Sequence, residues 1–269
     1  MEVRCFSGED FPAFLALADG EGWLCDRWEF DFLLGAFPGG CFTLTEGDDA
    51  VAFVTSVRYG ESGWIGNLIV DNARRGRGYG TLLMQRAIDA LLDAGAKTIW
   101  LTASAAGRPI YERMGFREVD RVLRWRGTGR CGHRGGGEPT HLEEMTLLDR
   151  AGWGDDRRLL LEAVAARGTV LLNGDGFLVL QPFGDGFQVG PWGCEGRERA
   201  AELLAKARDL AGEGRGMFLD APAGNGHVPT LLAGSGFAPA GTTSLMYAGI
   251  EPAYDPERIF ALATMGSMG

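Results

Sequence analysis

The stretch VDNARRGRGYGTLL, residues 70–83, joins a hydrophobic segment to the start of a helix-like segment. Glycines occupy alternate positions in it, at Gly76, Gly78 and Gly80, with arginines among them. Because glycine has no Cβ, an anion can approach the backbone closely. The N–H groups at a helix N-terminus carry partial positive charge and have no partner within the helix. The stretch therefore predicts a site for a phosphate or pyrophosphate group.

Two common phosphate-binding motifs do not fit this turn. A Walker A loop needs Gly-Lys followed by Ser or Thr, and the turn contains no lysine. The dinucleotide fingerprint needs a third glycine where Thr81 stands, and it opens a parallel sheet. Here the turn follows strands joined by short, hairpin-like connections.

The segments around the turn predict a mixed α/β (α+β) domain. Three strands precede it, at 41–47, 50–59 and 63–70, and a helix follows at 79–95, with apolar residues at helical spacing. Further helices are predicted at 10–18, 26–37 and 107–115, and further strands at 97–104 and 116–127.

A glycine-rich break at 127–139 separates two halves with similar patterns. Six of its 13 residues are glycine, which is typical of a linker or long loop. After it the order of elements partly repeats, which predicts two copies of one unit. The expected divisions are a first domain at 1–127, a linker at 128–139 and a second domain at 140–269. In the second half we predict helices at 155–168, 195–212 and 226–236, and strands at TVLLN, GFLVLQP, GFQVGPW, 216–222 and 242–249.

Composition limits the classes of function. Net charge is −10, which argues against a nucleic-acid partner, and no apolar run of 18 residues predicts a membrane span. The N-terminus does not read as a signal peptide. Five scattered cysteines are typical of reduced thiols in a cytoplasmic protein. Cys131 and His133 form a C-x-H and no histidines pair at i, i+4, so no metal site is predicted.

The run from Arg75 to Gly80, Arg-Gly-Arg-Gly-Tyr-Gly, resembles the [Arg/Gln]-x-x-Gly-x-[Gly/Ala] signature of the GNAT superfamily of acetyl-CoA-dependent N-acyltransferases. Its flanks resemble the family's strand-four-to-helix-three junction. SAAGRPIYERMGF, residues 104–116, resembles a later helix that often carries a tyrosine before Gly-Phe. The resemblance covers about residues 1–126. It implies a mostly antiparallel sheet flanked by helices, and acetyl-CoA as co-substrate.

The resemblance also implies roles for particular residues. Tyr111 would act as general acid toward the CoA thiolate. Ser104 stands where many relatives have an asparagine that contacts the pantetheine arm. The remaining implied cofactor contacts are Leu68, Ile69 and Val70 along the pantetheine, and Arg75, Gly76, Arg77, Gly78, Tyr79, Gly80 and Thr81 around the pyrophosphate.

Several alternatives stay open at this stage. Asp71, Glu61, Glu29 and Asp31 are all candidate bases for the amine, and water can also take the proton. The expected activity is acetyl transfer to a primary amine of a small-molecule or amino-acid-like acceptor, by a monomer or homodimer. The alternative is a non-catalytic acyl-CoA-binding sensor or interaction protein.

The second half resembles the diverged acetyltransferase-like domain of some bacterial tandem proteins. At the place of the glycine turn it reads VGPWGCEGRERAAELL, where Glu195 and Glu198 would lie near the phosphates. Acidic side chains oppose a pyrophosphate there. One cofactor site, in the first half, is therefore expected.

Overall fold

The computed structural model describes residues 1–132 and 141–269, and these residues divide into two compact units. The first unit comprises Met1–Leu101, Tyr247–Ile250 and Gly266–Met268. The second comprises Thr102–Met246, Glu251–Met265 and Gly269. None of the helices in the described residues has the length and apolar composition needed to cross a membrane.

The first unit is built on a sheet in the order β1-β2-β3-β4-β5. Its strands pair antiparallel except for β4 and β5, which are parallel. Its elements are β1 (Glu2–Cys5), α1 (Phe11–Gly20), α2 (Arg27–Ala36), β2 (Phe42–Glu46), β3 (Asp49–Arg58), β4 (Ser62–Val70), α3 (Tyr79–Asp93) and the start of β5 (Thr98–Ala103).

Side chains of α1, α2 and α3 pack against this sheet. Phe14 of α1 and Phe30 of α2 pack with ring centroids 4.5 Å apart, and both are fully buried. On α3 the buried residues recur at helical spacing, including Leu83, Ala87 and Leu91. Burial of such apolar side chains is the main favourable term for the unit. It holds α3 against β4, so the turn between them is fixed at both ends.

The second unit repeats the pattern on a sheet in the order β11-β6-β10-β9-β8-β7, with β12 paired to β9. In this unit β9 and β10 pair parallel. Its elements are α4 (Arg108–Arg113), β6 (Arg117–Thr128), α5 (Leu142–Trp153), α6 (Arg158–Arg167), β7 (Thr169–Leu172), β8 (Gly176–Phe183), β9 (Gly186–Cys194), α7 (Arg197–Ala211), β10 (Gly216–Pro222), α8 (Val228–Gly234), most of β11 (Ala238–Gly249) and β12 (Ile259–Ala261).

The prediction of a mixed, mostly antiparallel α/β fold in two copies is confirmed. The compact units divide the chain earlier than 127, because β6 pairs with β10 along seven positions. The predicted domain limits stay a prediction. Most of the predicted linker, including His133, lies outside the described residues.

Candidate functional site

The turn between β4 and α3 presents open backbone at a helix N-terminus. Gly76 and Gly78 have φ of +78° and +83°, and a Cβ built on either would meet nothing within 4 Å. No side chain caps α3. Among the described residues, the backbone amides of residues 76–81 donate to no protein acceptor. This arrangement can hold a phosphate group.

A third glycine has a different role. A Cβ on Gly80 would lie 3.6 Å from Val70 Cγ2, in ordinary contact, so this position is tolerant of a side chain and the first turn of α3 lies close to β4. The helix N-terminus therefore lies beside the end of β4.

The edge of β4 that faces β5 opens beyond its first residues. In the described part of the chain, pairing of the two strands covers only residues 62–64 and 98–100. On its other edge β4 stays paired with β3 as far as Val70. In an antiparallel pair only alternate residues direct their N–H and C=O groups at the partner strand. The alternate groups of residues 68–70 are thus available to an extended chain such as pantetheine, except the Val70 carbonyl, which accepts from Arg75 Nε at 3.1 Å.

A β-bulge lies where β4 opens. Phe53 pairs with Ile69 and Thr55 with Gly66, so two residues of β4 stand opposite one residue of β3. One of the two, Asn67, has φ of +53° and is the only non-glycine among the described residues with positive φ. Asparagine tolerates this conformation better than most residues. Asn67 was not among the predicted site residues, since a bulge leaves no periodic signal.

Acidic residues hold the arginines of the turn. Arg75 Nη2 lies 2.7 Å from a Glu21 oxygen, and Arg77 Nη1 lies 3.4 Å from Glu46 Oε1. Glu46 also accepts from the hydroxyl of Tyr79. Several contacts hold the pKa of Glu46 below its usual range, and the hydrogen bond from the Tyr79 hydroxyl contributes most. Sequence reasoning missed Glu46, because the β2 end that carries it is distant from the turn in the chain.

Tyr111 and Ser104 lie together in the second unit, at the start of α4. The Ser104 hydroxyl accepts from the Gly107 N–H at 3.2 Å, which leaves its own hydrogen available to donate. A Cβ on Gly107 would come within 3.1 Å of Tyr111 Cε2, so the glycine makes room for the ring. Burial raises the pKa of Tyr111 to about 12. Its hydroxyl therefore stays protonated throughout the physiological range.

The counterpart of the glycine turn in the second unit differs from it in its charge and in the strand edge beside it. The α7 N-terminus is flanked by Glu195, which pairs with Arg258, and by the exposed Glu198. Beside the end of β9 lies β12, with Ile259 opposite Gly193 and Ala261 opposite Trp192. The edge that is open on β4 is thus covered on β9.

Comparison with known proteins agrees with this architecture. Residues 8–116 match the acetyltransferase (GNAT) family and residues 145–261 match an acetyltransferase (GNAT) domain. The chain belongs to the GNAT acetyltransferases and carries two such domains in tandem, as predicted. It is accordingly an acyltransferase, and the family implies use of acetyl-CoA. A search of curated proteins gives no match.

Solved structures share the fold at low sequence identity. A proposed acetyltransferase from Pyrococcus horikoshii is 21% identical, with a TM-score of 0.86 over 100% of this chain and 95% of that one. A GCN5-related N-acetyltransferase from Sphaerobacter thermophilus is 16% identical, with a TM-score of 0.67 over 94% and 98%. One from Kribbella flavida is 17% identical, with a TM-score of 0.54 over 91% and 70%. These likenesses concern the fold alone.

Proposed function

We propose that the protein transfers the acetyl group of acetyl-CoA to a primary amine of a small-molecule or amino-acid-like acceptor. The observation that carries the proposal is the row of open amides at residues 76–81, next to an open edge of β4. A pyrophosphate lies on the turn from Arg75 to Thr81, and the pantetheine arm runs beside Leu68, Ile69 and Val70. One of the β4 amides also polarises the thioester carbonyl.

Positive charge at the turn comes from the backbone N–H groups and from arginines that already form ion pairs with carboxylates. When a pyrophosphate binds, Arg75 and Arg77 exchange carboxylate partners for phosphate oxygens, which carry more charge. These carboxylate pairs are exposed, and exposed ion pairs are weak. The exchange therefore costs little. Glu46 stays nearby and lowers the affinity, because like charges repel.

Tyr111 serves as the proton donor to the departing thiolate. A pKa raised by burial to about 12 keeps the proton in place before the reaction. It also makes Tyr111 a weaker acid than a free tyrosine. Proton transfer must therefore accompany cleavage of the C–S bond, when negative charge builds on sulfur. Ser104 donates its remaining hydrogen to the pantetheine arm.

The second domain holds no acetyl-CoA in this proposal. The covered edge of β9 supports it, because β12 takes the position that an extended pantetheine would need. Glu195 and Glu198 at the α7 N-terminus add a repulsive term for phosphate. One acetyl-CoA per chain is expected.

The experiment that tests the proposal follows release of free CoA from acetyl-CoA across a panel of amines. The panel holds aliphatic and aromatic amines, amino acids and small polyamines, with alcohols and thiols as controls. Amine-dependent CoA release with formation of the N-acetyl product supports the proposal. Tight acetyl-CoA binding without turnover on any amine refutes it and favours a non-catalytic sensor.

A further inference from the structure

Glu29 is a carboxylate in the buried part of the first unit. It lies in the first turn of α2, and only 8% of its surface is exposed. Its neighbour Phe30 and the later Leu33 are buried in the apolar core. A carboxylate is costly to desolvate, so a buried one needs compensating contacts or a task.

Asn67 links Glu29 to the bulge of β4. Its Nδ2 donates to Glu29 Oε1 at 3.3 Å and to Thr55 Oγ1 at 3.1 Å. The residue after Asn67 is Leu68, where the proposed pantetheine segment begins. One asparagine side chain thus connects the Glu29 carboxylate to the strand position next to which the thioester would lie.

Thr55 shows on which face of the sheet this cluster lies. It pairs with Gly66, and residues opposite each other in an antiparallel pair project to the same face. A Cβ on Gly66 would lie 2.2 Å from the carbonyl oxygen of Gly266, so the segment Gly266–Met268 covers this position. The cluster of Glu29, Asn67 and Thr55 therefore lies on the covered α2 face of the sheet.

Asp71, a second candidate base, already has a structural role. It accepts from the Ala73 N–H at 3.0 Å and from the guanidinium of Arg74. The Ala73 amide, followed by Arg74, holds its pKa below the usual range of an aspartate. A carboxylate with a lowered pKa is a weaker base.

Glu61 and Asp31 lie on the surface. The Glu61 side chain is 69% exposed and pairs with Lys97. The Asp31 side chain is 57% exposed and pairs with Arg27 at 2.8 Å. Of the four carboxylates that the sequence left open, Glu29 is the one joined to the bulge.

We infer that Glu29 is the group that accepts the proton of the acceptor's ammonium ion. This inference rests on the proposed acetyl transfer to an amine. The ammonium N–H bond breaks and its proton passes to a Glu29 oxygen, directly or through one water. The nitrogen lone pair then forms the bond to the acetyl carbon, the C–S bond breaks, and the acylated nitrogen releases a second proton to solvent, which leaves a neutral amide. The thiolate takes its proton from Tyr111, the phenolate regains one from solvent, and Glu29 releases its proton to solvent.

Asn67 acts as a positioning residue in this step. Its amide donates to one oxygen of Glu29 and fixes the carboxylate toward β4. The inference also names the acceptor class more closely, as an amine that binds in its cationic form. A buried carboxylate selects a cation over a neutral alcohol, because a charge pair in a desolvated site is stronger than in water.

Charged and titratable groups lie around Glu29 on its own helix and on the preceding loop. Burial, followed by the charges of Glu29 and Asp19, raises the pKa of the Cys25 thiol to about 12. This thiol therefore stays neutral over the range of an assay. Asp26 caps the helix through the Trp28 N–H, and Arg27 pairs with Asp31. Asn67 and Thr55, the β4 and β3 groups hydrogen-bonded here, do not titrate.

The test compares pH profiles of kcat/KM for the wild type, Glu29→Gln and Asp31→Asn, with the best amine from the panel. Gln keeps the shape and can accept from Asn67, but it cannot take a proton. Glu29→Gln should lose at least about tenfold in kcat/KM at pH 7, the lower end for acid–base groups. Its rate should rise steadily toward the pKa of the free amine, which is about 10 for a lysine-like acceptor. Acetyl-CoA affinity should stay within about twofold, and Asp31→Asn should match the wild type in its whole profile.

If Glu29→Gln has the same pH profile as the wild type, the inference is overturned. The proposed function still stands in that case, provided that the wild-type protein acetylates the amine. No turnover by the wild type on any amine overturns both. Glu29→Asp covers the case in which the Gln variant does not fold. Glu29→Asp keeps a carboxylate base whose side chain is shorter by one methylene. We therefore expect kcat to fall, while the rate still declines at low pH as it does in the wild type. The inference is also overturned if kcat is unchanged in Glu29→Asp. It is overturned as well if Glu29→Gln and Glu29→Asp lose activity by the same factor at every pH.

Discussion

Gly78→Asp is expected to weaken acetyl-CoA binding by roughly 30-fold. Gly78 has φ of +83° and its Cβ direction is open, so the substitution meets no clash within the protein. A left-handed conformation costs a non-glycine residue about 1 kcal/mol in folding, and less for aspartate than for most. The new carboxylate lies where the pyrophosphate must approach. Two unit charges about 4 Å apart repel by about 4 kcal/mol at an effective dielectric constant of 20. The turn is exposed, so we halve this to roughly 2 kcal/mol, which corresponds to a factor of roughly 30 in affinity.

A matched control separates electrostatics from backbone strain. Gly236 has φ of +79°, equally open surroundings and an exposed position in the second unit. Gly236→Asp should lower the melting temperature about as much as Gly78→Asp and leave the dissociation constant for acetyl-CoA unchanged. The dissociation constants of the two variants for acetyl-CoA are measured by titration calorimetry. A folded Gly78→Asp protein with wild-type affinity, or equal losses in both variants, would refute a phosphate site at the turn.

Three further predictions concern the proton donor and the acidic groups of the turn. Tyr111→Phe keeps the ring packing and removes the proton, so kcat should fall at least about tenfold with little change in acetyl-CoA affinity; a kcat within about twofold of wild type would leave Tyr111 with a structural role only. Because burial raises the pKa of Tyr111 to about 12, its acid form persists well above pH 10, and a Tyr111-dependent fall in kcat centred near pH 10 would contradict this assignment. Glu46→Gln removes repulsion next to Arg77 and should tighten acetyl-CoA binding by up to about fivefold at low salt, a gain that added salt should reduce; weaker binding would show that Glu46 instead holds the turn in shape.

Local pattern made the first half of the fold predictable. The predicted helix at 79–95 corresponds to α3 at Tyr79–Asp93, and the predicted strand at 63–70 corresponds to β4 at Ser62–Val70. In α3 apolar residues recur at the helical period, and β4 is a short, mostly buried run rich in apolar residues. The glycine turn was equally visible, because glycine at a positive φ is a backbone requirement that the sequence records directly.

Elements that depend on distant partners were not predictable. β1 and β12 have four and three residues, and β12 exists only because β9 pairs with it. α5 was missed as well, since it buries polar residues such as Asp149, which needs its pair with Arg157. Such burial gives no apolar period in the sequence.

The candidate site divides in the same way. The backbone groups proposed to bind phosphate follow from a contiguous motif, whereas Glu46 comes from β2 and Asn67 lies at a bulge of β4. The four candidate bases could not be ranked from the sequence, because burial distinguishes them and burial is set by tertiary packing. Glu29 lies two positions after the exposed Arg27 in the chain and yet is 8% exposed itself.

Hydrogen exchange with and without acetyl-CoA tests most directly the claim that one acetyl-CoA binds the first domain, along β4 and the glycine turn. We predict slower exchange at the amides of residues 68–70 and 75–81, with no change at 190–198, where β12 already covers β9. Protection at 190–198 equal to that at the glycine turn, or no protection at residues 68–70 and 75–81 when acetyl-CoA is saturating, would contradict the account.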